Sequence, residues 1–178
     1  MDYTNKLIQV QKQFAHFQKK FFFEETLYSY QWWITLAITV LLWVVWVLVV
    51  DKLRLKSIII VGLITSLMAT VMDDVGLSLA AWHYPYQIVY FTTRFNSVDF
   101  AVIPVTYMLL FQYFTRWKTF IIATASFSLF AAFIAEPLFV KLGMYIIMSW
   151  EYWYSAPIYF AMGILVKWIV DKMDKESN

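Results

Sequence analysis

The sequence predicts an all-α fold: a polytopic membrane bundle of five transmembrane helices, six if one interfacial segment also crosses, preceded by an N-terminal amphipathic helix. Three observations predict it. The 178 residues are 62% hydrophobic and only 15% charged, with mean hydropathy +0.63, more apolar surface than a soluble domain of this length could hide. The apolar residues fall into runs of spanning length separated by short charged turns. Three of those runs carry an acid at nearly the same distance from a basic flank: 17 residues from Lys56 to Asp73, 17 from Asp99 to Arg116 and 18 from Lys118 to Glu136. At helical rise these distances are about 25–27 Å, close to the ~30 Å of a bilayer's hydrocarbon core. With the basic ends on one side, the acids share one depth just inside the opposite face.

Residues 1–30 form the first element. Leu7, Val10, Phe14, Phe17 and Phe21 recur at spacings of three and four, the period of one helical face. Between them lie Lys6, Lys12, Lys19, Lys20 and several glutamines. The pattern fits a helix lying on the bilayer with lysines among the headgroups. It also fits a short heptad seam for self-association. No charged stretch leads into an apolar core here, so no cleavable signal peptide is expected.

The bundle, residues 31–172, follows. Its first span is 32–50, without a charge before the turn carrying Asp51, Lys52, Arg54 and Lys56. The second, 57–79, holds Asp73 and Asp74 near its end. An aromatic stretch over 81–97, with Trp82, His83, Tyr84, Tyr86 and Tyr90, suits the interface, where rings with a polar handle concentrate; a loop or short helix is expected there. The third span is 98–114 and the fourth 119–140. A second interfacial segment, 141–154, carries Tyr145, Trp150, Trp153 and Tyr154. The fifth span is 155–170, and 173–178 is a polar tail.

Three basic residues follow span one, two follow span three and three lie at the C-terminal end, against one in each aromatic loop. The positive-inside rule then puts the short turns and the C-terminus in the cytoplasm. The four lysines of the N-terminal helix fall outside in that arrangement and dissent from it. A plasma-membrane, multi-pass location is the expectation.

Two stripes of small residues end on acids: Gly62, Ser66, Thr70 and Asp74 in span two, and Thr124, Ser128, Ala132 and Glu136 in span four. Such stripes let helices approach closely. In span three, Pro104 lacks an N–H and frees a carbonyl one turn earlier, near Phe100, with Tyr107 two turns below Asp99. Intramembrane acids are functional candidates by default, and Asp74, Asp99 and Glu136 are expected to converge above Tyr107 and below Arg94. Asp73 and His83 complete the candidate ligand-binding set. The competing reading makes the stripes packing seams, pairs Arg94 with one acid and lets Asp73–Asp74 cap the loop.

Much chemistry is excluded. There are no cysteines, hence no thiolate ligand or nucleophile. A net charge of +2 gives no basic face for nucleic acid. No phosphate loop, zinc helix or nucleophile elbow occurs. His83 and the remote His16 make no metal pair, so neither metal nor cofactor is expected.

The run Asp73-Asp74-Val75-Gly76 leading to Trp82-His83-Tyr84-Pro85, then Asp99, Pro104, Tyr107 and Glu136-Pro137, resembles a family of small multi-pass membrane proteins from spore-forming Firmicutes. The likeness covers roughly residues 57–160 and implies a bacterial plasma-membrane location, without an activity. The residues themselves point to an outward-facing acidic and aromatic recess that binds a cation, an amphipathic amine or a lipid-like ligand, as a sensor or a subunit of a membrane assembly. The bilayer is then a partner, with a homo-oligomer or larger membrane complex as the assembly. Two alternatives stand beside it. One is an acid-catalysed membrane enzyme acting on a prenyl lipid, with carboxyls as acids and ring faces steadying a cation. The other is a purely structural protein.

Overall fold

Helix N-termini are capped where the sequence offers short polar side chains, and the bundle is strung between those caps. The structure, a computed structural model, describes residues 2–92 and 96–176. Asp2 accepts from the Thr4 amide to start α1 (Tyr3–Phe21), which leaves into a π turn, Phe22–Thr26. Ser29 Oγ accepts from the Trp32 amide at 3.2 Å to start α2 (Tyr30–Val49). Asp51 accepts from the Leu53 amide at 2.9 Å and caps the 3₁₀ turn Lys52–Arg54, which feeds α3 (Leu55–Ser78). A π turn, Val98–Val102, opens α4 (Ile103–Tyr113). Next, α5 (Trp117–Phe130) passes through a third π turn, Ala131–Ala135, into α6 (Glu136–Lys141). Finally α7 (Tyr152–Glu176) runs through much of the segment read as a polar tail.

Four helices are long and apolar enough to cross a membrane: Tyr30–Val49, Lys52–Ser78, Trp117–Lys141 and Tyr152–Glu176. The predicted third span, 98–114, is an apolar but shorter helix, Val98–Tyr113, five π-turn residues followed by eleven of α4. Outward-facing apolar residues such as Leu48, 78% exposed, and Leu63, 66% exposed, suit hydrocarbon rather than water. No residue of α1 is buried, and its apolar face from Leu7 to Phe21 is open.

Contacts at the two ends show that consecutive helices alternate in direction. At one end the Asp51 amide donates to Gln112 Oε1 at 2.9 Å, and Ser57 Oγ donates to Asp174 Oδ1 at 2.7 Å. These bonds join the start of α3 to the ends of α4 and α7. At the other end Trp32 Nε1 donates to the Ile88 carbonyl, and Tyr30 Oη to that of Leu142, both at 3.2 Å. The two aromatic segments meet there as an antiparallel ribbon, β1 (Trp82–His83) on β2 (Ile146–Ile147), with Trp82 opposite Ile147. Ala81 O accepts the amides of Met148 and Ser149 as well. A two-residue extended pair therefore ties the two segments together, and the described residues from 84 to 92 form the expected loop.

Close approach requires small residues at two crossings. A Cβ on Gly62 would lie 2.6 Å from Met108 Sδ, and one on Gly163 would lie 2.6 Å from Thr124 Cγ2. Pro104 acts as its chemistry dictates: Trp43 Nε1 donates to the Phe100 carbonyl at 2.9 Å, filling an acceptor that the proline leaves without its helical donor. Lys167 does not snorkel. Its ammonium is buried over the rings of Phe111, Trp117 and Phe120 at 4.9–5.3 Å and pairs with Asp171 at 3.2 Å, clamping α4, α5 and α7.

Candidate functional site

Helical geometry decides which acid of the Asp73–Asp74 pair turns inward. The buried residues of α3 are Ile58, Val61, Gly62, Thr65, Ala69, Asp73 and Gly76, the ordinary 3.6-residue period. A strict four-residue stripe overshoots each turn by about 40°, so Asp74 stands roughly 120° around the helix from Gly62. Asp73 thus faces the bundle, while Asp74 is half-buried and lines neither of the chambers described below. The stripe through Thr124, Ser128 and Ala132 behaves differently, with all three buried. The π turn Ala131–Ala135 takes more residues per turn and corrects the drift, so Glu136 stays on the inner side.

Asp73 and Asp99 converge. Asn96 Nδ2 donates to Asp73 Oδ2 at 2.9 Å and to Asp99 Oδ2 at 3.0 Å. Asn96 Oδ1 accepts the Asp99 amide at 2.9 Å, as a side-chain cap does. Asp73 Oδ1 takes Trp82 Nε1 at 3.2 Å and Tyr84 Oη at 3.3 Å. Ser66 Oγ donates to the Asp99 carbonyl at 2.8 Å. Gly76 makes room for this arrangement, because any Cβ there would collide with the Trp82 ring. Burial and then the neighbouring Asp73 hold the Tyr84 hydroxyl well above the ordinary tyrosine range, so it stays a donor. The acid pair borders a chamber of about 150 Å³ walled by Trp82, Tyr84, Tyr145, Trp150 and Tyr159.

Glu136 occupies a neighbouring chamber of about 100 Å³, lined by Tyr84, Phe127, Phe130, Phe139, Tyr145 and Tyr159. Tyr84 and Tyr145 stack at 5.1 Å and belong to the walls of both chambers. Burial also raises the Tyr145 hydroxyl, with Glu136 and then Asp73 adding to it. Glu136 Oε1 accepts from Tyr159 Oη at 2.9 Å. Its buried Oε2 has no hydrogen bond of good geometry; the Ser155 hydroxyl, which accepts from Trp150 Nε1 at 2.9 Å, is near enough to interact with this carboxyl. Buried polar atoms are rarely left so.

The other expected residues are placed as follows. Tyr107 is buried and donates to the Tyr159 carbonyl at 2.5 Å, positioning α7 without lining either chamber. His83 faces away from the acids, and burial lowers its pKa. Arg94 lies outside the described residues. Among those described, no cluster of three or more His, Asp or Glu has the arrangement of a metal site. Asn96, Trp82, Tyr145 and Tyr159 join the site in the structure, outside the set that the sequence marks as ligand-binding candidates. Asn96 had a signal, since Asn-Ser-Val-Asp matches the spacing of a helix-start cap.

No family model, no curated protein and no solved structure matches this chain.

Proposed function

We propose that the Glu136 chamber binds the ammonium head of an amphipathic amine whose apolar tail lies along the lipid-facing surface. The carrying observation is the buried Glu136 Oε2, unpartnered within a box of aromatic rings. Ring faces attract ammonium groups, and a carboxylate supplies the counter-charge. Asp73, by contrast, already has both carboxyl oxygens engaged by Trp82, Tyr84 and Asn96 and serves to fix the cap. Chambers of about 150 and 100 Å³ fall below the roughly 300–1,000 Å³ of sites that enclose a whole small molecule. They suit a head group, not a folded prenyl chain. Phe130 is 53% exposed and lines the Glu136 chamber, which gives a tail its exit toward lipid.

The supporting frame is a five-span protein of a bacterial plasma membrane, with the ribbon-capped end outside and the C-terminus in the cytoplasm. The basic turns at the opposite end support this orientation. Lys167, the buried cation at that end, is already engaged by three rings and Asp171. That arrangement favours a sensor or a subunit of a membrane assembly over a transporter.

The test is titration of purified protein with dodecyltrimethylammonium, read by tryptophan fluorescence, with dodecyl maltoside as the uncharged control. Glu136→Gln should weaken amine binding about tenfold or more, whereas Asp99→Asn should leave it nearly unchanged. Equal binding of amine and control, or an indifferent Glu136→Gln, would overturn the proposal. Mass spectrometry of lipids extracted from the purified protein would then identify what co-purifies.

A further inference from the structure

A third and larger recess lies on the other side of the ribbon strand. Over residues 82–87 the chain is extended enough to divide its side chains: Trp82 and Tyr84 line the acidic chamber, while His83, Pro85 and Gln87 face a groove under α1. The groove has a volume of about 500 Å³, within the range of sites that enclose a ligand. Its far wall is the apolar face of α1, including Phe17 and Phe21, and Gln18 Nε2 ties α1 to Gln87 Oε1 at 3.1 Å.

We infer that this groove holds the head group of a zwitterionic phospholipid. The charges carry the inference. Lys20, Glu24 and Glu25 all line this groove, so its rim carries both signs of charge. Lys20 and Glu24 are only loosely paired, at 3.9 Å with side chains 58% and 59% exposed, so both can turn to a ligand. A phosphate alone would meet two carboxylates, and an ammonium alone would meet the lysine. A head carrying both charges matches both signs on the rim. Tyr90 also lines the groove, and its ring already carries the Lys19 ammonium at 5.8 Å. Thr26 adds an independent pointer. It borders the groove, is only 1% exposed, and its Oγ1 has no hydrogen-bond partner, an arrangement that calls for an outside acceptor or donor. The phenylalanines beside the charged rim would cover the first methylenes of the acyl chains.

Native mass spectrometry of the delipidated full chain, titrated with phosphatidylethanolamine, phosphatidylglycerol and a glycosyl diacylglycerol of equal chain length, tests this. The zwitterionic lipid should bind most tightly. Lys20→Gln and Glu25→Gln should each weaken it about fivefold, and Thr26→Val should weaken it without lowering the melting temperature, because the lost hydroxyl had no partner in the protein. Glu136→Gln should not change phosphatidylethanolamine binding, which separates this groove from the amine chamber. Tighter phosphatidylglycerol binding that falls with Lys20→Gln but not Glu25→Gln would reduce the surface to simple anion attraction and overturn the inference. Preference for the glycosyl lipid, or indifference to all three groove variants, would also overturn it.

Discussion

Asp73 and Asp99, on two different helices, are bridged by one amide: Asn96 Nδ2 lies 2.9 Å from one carboxyl and 3.0 Å from the other. A primary amide has two hydrogens, and here each is spent on a different acid. Asn96→Leu should therefore destabilise the protein by about 2–4 kcal/mol, from two buried acceptors losing their donor. Asp99→Asn should be milder, because the new amide can itself donate to Asp73. Thermal unfolding in detergent measures both. Equal losses from the two substitutions would contradict the bridge.

Gly76 and Gly62 should respond differently to alanine. At Gly76 the added methyl meets the rigid Trp82 ring, whereas at Gly62 it meets Met108 Sδ, part of a flexible side chain. Gly76→Ala should displace Trp82 and cost about 1–3 kcal/mol, with a shift in tryptophan emission. Gly62→Ala should cost less and leave the emission unchanged. The reverse ranking would show that Trp82 does not pack as described.

Burial lowers the pKa of His83 below the ordinary 6.5. As pH falls, the unfolded chain takes up the proton first, so stability is full above that ordinary value and is lost as pH drops through the lowered one. His83→Gln should flatten the dependence of melting temperature on pH between about 5 and 7. A wild-type profile already flat over that window would refute the assignment.

Sidedness is open to single-cysteine labelling, because the chain has no native cysteine. Phe91, 75% exposed, belongs to the capped end, and Leu53, 97% exposed, to the opposite turn. An impermeant thiol reagent should reach Phe91→Cys in intact cells and Leu53→Cys only after permeabilisation. Labelling of Leu53→Cys alone in intact cells would invert the proposed orientation.

What the sequence by itself determined was local. Apolar run length and charged turns gave helices of spanning length, and Pro104 marked the break in the helical ladder one turn earlier, near Phe100. Counting along each run also put Asp73, Asp99 and Glu136 toward one end, because helical rise is constant. Rotation about the helix axis is another matter. Only packing decided it: the buried face of α3 turned Asp73 inward and moved Asp74 aside, while the π turn after α5 kept Glu136 in register. The ribbon between Trp82–His83 and Ile146–Ile147 was equally illegible, since its backbone bonds join residues far apart in sequence and leave no period to read. Tyr84 and Tyr145, brought together by that ribbon, made two chambers out of what the sequence suggested was one recess.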